Sequence, residues 1–173
     1  MTKGNDQDAR YLEASTEYGA SLERLAITME ANPARRHDLL QDMHVALWRS
    51  LARLDGRCSL RTWVYRVAHN VAASHVAREK RHHSRQVSDD ALADMPGGED
   101  LQSSQERSDA LAKLHAWIRG LKPEERQIMT LYLEDLDTQT IAEITGLTPG
   151  AVSTRISRLK DRLQHAFRED DHA

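Results

Sequence analysis

Apolar residues recur at spacings of three and four along most of this chain, the period of helices that bury one face. Tyr18, Leu22, Leu25, Ala26 and Met29 make one such face, predicting a helix to about Glu30. Asn32-Pro33 ends it and caps a second helix from about Ala34 to Leu54, with Leu39, Leu40, Met43, Leu47, Leu51 and Leu54 inward. Asp55-Gly56 marks a turn. A third helix starts near Ser59, presents Leu60, Trp63, Val64, Val67, Val71 and His75 inward, and ends in the basic run REKRHHSR. Gln86 to Gln105 has no sustained period and contains Pro96-Gly97-Gly98, which reads as a linker. A helix over about 106–120 buries Leu111, Leu114, Trp117 and Ile118. Pro123 opens another, with Ile128, Met129, Leu131, Tyr132 and Leu133. Strand formers are scattered rather than alternating. The expected fold is all-α: a helical domain over 11–85, an acidic linker over 86–105 and a second helical domain over 106–170.

Thr140 to Leu163 is the most informative stretch. Asp137 is a plausible N-cap for a short helix, Ala142 lets a second helix approach, and Gly146 can take a positive φ at its end. Thr148 caps the next helix, with Pro149 at its first position. That helix buries Val152, Ile156, Leu159, Leu163 and Phe167 on one face and leaves Ser153, Thr154, Arg155, Ser157, Arg158 and Arg162 on the others. Two helices around a tight turn, the second with a polar and basic face, form the helix-turn-helix arrangement that fits the DNA major groove. An ordinary αα-hairpin with a solvated basic face would share the pattern.

The net charge of −3 runs against DNA binding until it is resolved along the chain. Arg49 to Arg85 carries nine Lys/Arg against two acids, a local +7. Gln86 to Ala110 carries seven acids against Arg107, or −6, and Ala151 to Phe167 stands at +3. A phosphate backbone feels the local sign. No apolar stretch is long enough to span a membrane, the N-terminal run MTKGNDQDAR does not read as a signal peptide, and the single cysteine, Cys58, cannot form an internal disulfide, which fits a reducing compartment; the expected location is the cytoplasm. His69, His75, His82 and His83 with Cys58 match no common zinc spacing, so no metal or other cofactor is expected. No phosphate loop, nucleophile elbow or paired-carboxylate motif appears, which makes an enzyme the least expected class.

CSLRTWVYRVAHNVAASHVAREKRHHSR, from Cys58 to Arg85, resembles the second conserved region of bacterial extracytoplasmic-function sigma factors. DLLQDMHVALWRSLARLDG, from Asp38 to Gly56, is similar to the family's polymerase-binding helix, and Leu121 to Leu163 to its fourth region. The resemblance implies two helical domains that recruit core RNA polymerase to promoter DNA without catalysing a reaction. It implies that Asp38, Gln41 and Asp42 contact the clamp helices of the large polymerase subunit. Asn70 would accept an unstacked base of the −10 element, with the loop from Leu54 to Leu60 helping to form its pocket and Arg57, Ser59, Arg61 and Arg66 around it. Ser153, Thr154, Arg155, Ser157 and Arg158 would lie on the −35 recognition helix. An anti-sigma partner is a further expectation from the family. The acidic linker would thread the polymerase's nucleic-acid channel or act as a solvated spacer.

Arg35, Arg36 and His37 depart from the resemblance, since they stand where the family often carries acids; this implies weaker or conditional polymerase binding. Leu60 replaces a frequent Phe, and Ser157 is small where some members have a bulky base-contacting residue, so promoter sequence does not carry over. Trp48 and Trp63 read as core residues, and Asn70 alone could cap or back-bond within its helix. Two rivals stay open: a stand-alone helix-turn-helix regulator, and an interaction protein that keeps the fold but sequesters a partner.

Overall fold

The computed structural model describes residues 3–85 and 102–170, which form seven α-helices. They are α1 (Lys3–Met29), α2 (Pro33–Leu51), α3 (Leu60–Arg85), α4 (Gln102–Arg119), α5 (Pro123–Leu133), α6 (Thr138–Thr145) and α7 (Pro149–Asp170). Most of the segment read as a linker lies outside the described residues, and α4 begins at Gln102, four residues before the predicted start. Once a helix is nucleated, adding residues to it costs little, so α4 extends beyond its apolar stripe.

The caps follow local chemistry. The Asn32 side chain accepts the Arg35 N–H, with Pro33 at the first position of α2. Ser59 Oγ accepts the Thr62 N–H at 3.1 Å and starts α3. α2 stops at Leu51, short of the predicted Leu54, because the chain tightens there into a turn closed by Leu54 N–H to the Leu51 carbonyl, at 3.2 Å.

α1 to α3 form an N-terminal half and α4 to α7 a C-terminal half. α1 packs on α4, and α3 packs on α5 and α6, so the two halves touch directly. Leu22, Leu39, Met43, Leu47 and Leu51 in one half join Ile118, Ile128, Leu131, Ile141 and Leu159 in the other in one cluster of buried apolar residues. Each such side chain contributes roughly 1.5–3 kcal/mol on burial.

Three apolar expectations fail. Trp48 is 42 % exposed rather than core. α1 extends back to Lys3, well before the expected residue 11, and its first turns hold Trp48 at the surface: Trp48 Nε1 donates to Asp8 Oδ1 at 2.8 Å, and Gln7 donates to the Trp48 carbonyl at 2.7 Å. Leu111, 54 % exposed, opens into an apolar groove of about 600 Å³ shared with Leu114, Leu163 and Phe167. Leu133, 46 % exposed, is the last residue of α5, where the helix leaves the core. Trp63 packs against the core and donates Nε1–H to Ser50 Oγ at 2.9 Å.

The basic triplet of α2 is partly structural. Arg35 Nη1 donates to Glu79 at 2.8 Å, and Arg36 donates to the Glu30 and Ala31 carbonyls, so both fasten α2 to its neighbours. Glu30, buried beside them, accepts from His75 Nε2 at 2.9 Å and the Asn32 N–H at 2.8 Å. Burial pushes its carboxyl up, but those bonds and the Arg35 charge outweigh burial and hold it below the ordinary value.

His69 is 2 % exposed, and its Nε2 has no partner among the described residues. Burial pushes its imidazole down to about 3. The unfolded chain, where the imidazole titrates near 6.5, therefore binds more protons in between. Stability from the neutral ring is full above that upper value and falls as the pH drops toward the lower one, by up to about 1.4 kcal/mol per pH unit. Urea unfolding in steps from neutral pH downward checks this: His69→Leu is expected to flatten the slope by about one proton. Equal slopes in the two proteins would mean that His69 is not held neutral.

Candidate nucleic-acid interface

The turn between α6 and α7 is built from single-residue signals. Asp137 accepts the Thr140 N–H at 2.8 Å and starts α6. α6 stops at Gly146, whose φ of 77° is left-handed and whose N–H bonds the Ala142 carbonyl. Thr148 Oγ1 accepts the Ala151 N–H at 3.2 Å and starts α7 one residue before Pro149. Ala142 is buried, and Val152, Ile156 and Leu159 of α7 are sunk in the core. That burial turns the opposite face outward: Ser153, Thr154, Ser157 and Arg158 are exposed, and Arg155 is half-buried.

Two arginines of α7 are tied back to the start of α5. Arg155 Nη1 donates to Glu124 at 2.8 Å, and Arg162 Nη1 donates to both Glu125 oxygens at 3.1 Å. Arg158 pairs with no carboxylate among the described residues and, with Arg155 and Lys122, lines a cleft of about 560 Å³ at the α5 N-terminus. The Glu124 and Glu125 links join residues more than 30 positions apart. Sequence periodicity carries no sign of them.

In the N-terminal half, Asp38, Gln41 and Asp42 share the exposed face of α2, one turn apart. Gln41 Nε2 lies 2.9 Å from His37 Nε2, and Asp42 lies 3.8 Å from Arg78. Asp42 also borders a groove of about 380 Å³ between α2 and α3, with Arg49, Asn70, Ser74 and Arg78. Asn70 is exposed there, and its side-chain amide has no hydrogen bond among the described residues. It neither caps nor back-bonds its helix.

The other residues expected near the −10 element separate into two groups. Arg66 precedes Asn70 by one turn and shares its face of α3. Arg57, Ser59 and Arg61 sit at the helix start, each with a local or distant partner. Arg57 binds Asp55 at 2.6 Å, Ser59 is spent on capping, and Arg61 donates to the Glu134 carbonyl of the other half at 2.9 Å. Among the described residues no group of His, Cys, Asp and Glu could hold a metal.

Residues 15–82 match the family model for Sigma-70 region 2, and residues 111–163 match that for Sigma-70 region 4. The chain belongs to the sigma-70 family. It is a sigma factor of the extracytoplasmic-function type, a transcription initiation factor. The RNA polymerase sigma-H factor of Pseudomonas aeruginosa is 29 % identical to it over 141 residues, covering 75 % of this chain and 72 % of that protein. The ECF RNA polymerase sigma-E factor of Haemophilus influenzae is 28 % identical over 144 residues, with 74 % and 72 % covered. Two solved structures share the fold: CnrH in complex with the cytosolic domain of CnrY (TM-score 0.67, 18 % identity, 97 % and 94 % covered), and the sigma factor RpoE with the anti-sigma factor NepR from Bartonella quintana (TM-score 0.68, 20 % identity, 89 % and 96 % covered). The region 4 match spans the sigma factor's capped α6–α7 turn, and the region 2 match spans both Asp42 and Asn70.

A Cβ added at Gly146 of this sigma factor meets nothing within 4 Å, so its φ alone sets the cost of a side chain. Gly146→Ala is expected to destabilise the protein by about 1–2 kcal/mol, lowering the melting temperature by about 2–4 °C per kcal/mol. Differential scanning calorimetry checks it, and an unchanged midpoint would argue against a left-handed residue at the turn.

Proposed function

We propose that this sigma factor binds core RNA polymerase through the exposed face of α2, reads the −35 element with the N-terminal turns of α7, and captures a −10 base at Asn70. It acts by binding rather than catalysis and works in the cytoplasm, where polymerase and promoter meet. No helix among the described residues is long and apolar enough to cross a membrane. The observation that carries the reading is the pairing of two exposed surfaces on one family scaffold: the capped α7 face, and Asn70 beside Arg66 with its amide unbonded among the described residues.

Asn70 suits base capture because its amide offers both a donor and an acceptor to a base edge. An opened base has already lost its stacking, at a cost of a few kcal/mol, and a pocket that satisfies its edge offsets part of that cost. Asp38, Gln41 and Asp42 suit a basic protein surface. Arg35 and Arg36 are committed within the fold, so less positive charge competes beside that face than the sequence suggests. The complexes of CnrH and RpoE support an anti-sigma partner for this chain as well.

The Arg155–Glu124 tie supports a division of labour on α7. Arg155 is steered along the helix flank toward a phosphate, and Arg158 is left to reach a base. Arg158→Ala is expected to cost about 1–3 kcal/mol of discrimination at its own base pair. Arg155→Ala is expected to weaken all sequences alike and to lower the salt slope by about one. Holoenzyme binding to single-base −35 variants at two salt concentrations measures both, and unaltered −35 preference in both variants would remove α7 as the reader.

Asn70→Ala is expected to reduce open complexes while leaving closed complexes intact, since only the opened strand presents a base edge. Permanganate reactivity of promoter thymines measures opening, and equal reactivity with the parent would leave Asn70 as an ordinary helix residue.

A further inference from the structure

A cleft of about 200 Å³ lies between the end of α1, the middle of α3 and the start of α5. Met29, Ala73, Val76 and Pro123 give it apolar walls, and His69 and Arg126 bring polar groups to it. His69 Nε2 and Arg126 Nε are both buried, and neither has a hydrogen-bond partner among the described residues. A buried polar atom left bare forfeits its hydration with nothing in return. Two of them around one cleft call for a common partner.

The surroundings favour a negative one. Arg126 Nη2 already donates to the Arg119 and Leu121 carbonyls at the end of α4, so Nε is the donor left over. Arg119 Nη1 donates to the Ile27 carbonyl at 3.0 Å, and neither arginine pairs with a carboxylate among the described residues. Burial first, and then the charge of Arg119, pushes the Arg126 guanidinium below its ordinary value. The start of α5 has no side-chain cap, and its first helical bond runs from the Arg126 N–H to the Lys122 carbonyl at 2.9 Å. The N–H groups ahead of that bond have no partner within the helix, and the dipole adds positive potential there. Glu124 does not cancel it, because its side chain is 75 % exposed and bound to Arg155.

Water alone fits this cleft poorly. Its volume equals that of about six waters at about 30 Å³ each, and each would need two to four polar partners. The apolar walls supply none. A cavity of about 150 Å³ is enough for a benzene ring, so a small organic molecule fits.

We propose that the cleft binds a small aliphatic carboxylate, with its oxygens on Arg126 Nε, His69 Nε2 and the start of α5 and its hydrocarbon end against Met29, Ala73 and Val76. The neutral His69 ring can carry its proton on Nε2 and donate it. Inorganic phosphate would satisfy the donors and leave the apolar walls bare; an uncharged isostere would do the reverse. None of the residues assigned above to promoter DNA or to polymerase lines the cleft.

Calorimetric titration of the full-length protein, without DNA or polymerase, tests this with isovalerate, isovaleramide and inorganic phosphate as probes. Isovalerate is expected to bind in a single site, about tenfold or more tighter than either of the others. His69→Leu and Arg126→Lys each remove one donor and are expected to weaken isovalerate about tenfold. Val76→Phe fills the cleft without removing a polar group and is expected to abolish binding. Circular dichroism confirms that each variant keeps its helices. In the unaltered protein, NMR gives a readout that needs no variant: isovalerate is expected to shift the Arg126 Nε–H and His69 ring resonances. No heat and no shift at millimolar isovalerate would mean that water alone fills the cleft and would overturn the proposal. Phosphate or isovaleramide binding as tightly as isovalerate would overturn the carboxylate class. Affinity for isovalerate unchanged in Val76→Phe would place the ligand elsewhere and overturn the site.

Discussion

A helix in water has to bury a stripe, and what it can offer a partner is the face left over. That constraint arranges this sigma factor. α7 sinks Val152, Ile156 and Leu159 into the core, so Ser153, Ser157 and Arg158 must point outward. α3 buries Val64, Ala68 and Ala72, so Arg66 and Asn70 emerge one turn apart on the other side. α2 buries Leu39, Met43 and Leu47, which leaves Asp38, Gln41 and Asp42 in a row. The exposed surfaces owe their placement to apolar residues sunk in the core.

Polar contacts then adjust those surfaces. Glu124 and Glu125 hold Arg155 and Arg162 against α5 while Arg158 stays unpaired among the described residues. Exposed pairs of this kind are worth about 1 kcal/mol or less. They are therefore exchangeable for a phosphate, which offers the same guanidinium a stronger acceptor set. Burial tends to raise a carboxyl, yet Glu134 sits below its ordinary value because the bonds from Arg24 and Tyr65, with the Arg24 charge, outweigh burial. Such a group stays charged through the neutral range, and so does the contact it makes between the halves.

The helices, their caps and the helix-turn-helix were legible from the chain because the interactions that make them reach no further than four residues. Asn32, Asp137, Gly146 and Thr148 act within their own turn, and apolar spacing reports the buried stripe. The α1 start was missed because Lys3 to Arg10 carries no stripe; its Asp6–Arg10 pair and its grip on Trp48 hold it as helix instead. Leu111 was misread as core because period alone cannot tell whether a neighbour arrives to cover a stripe.

Local sequence thus determined the all-α class, the helix boundaries to within a few residues at most ends, and the family. Tertiary structure alone decided how the halves meet. Glu134 finds Arg24 and Tyr65, Arg61 finds a carbonyl 73 residues away, and His69 is stripped of water at the seam. The physical reason is range: a contact between residues so far apart depends on the summed packing of several helices, and no window of sequence around either partner records it.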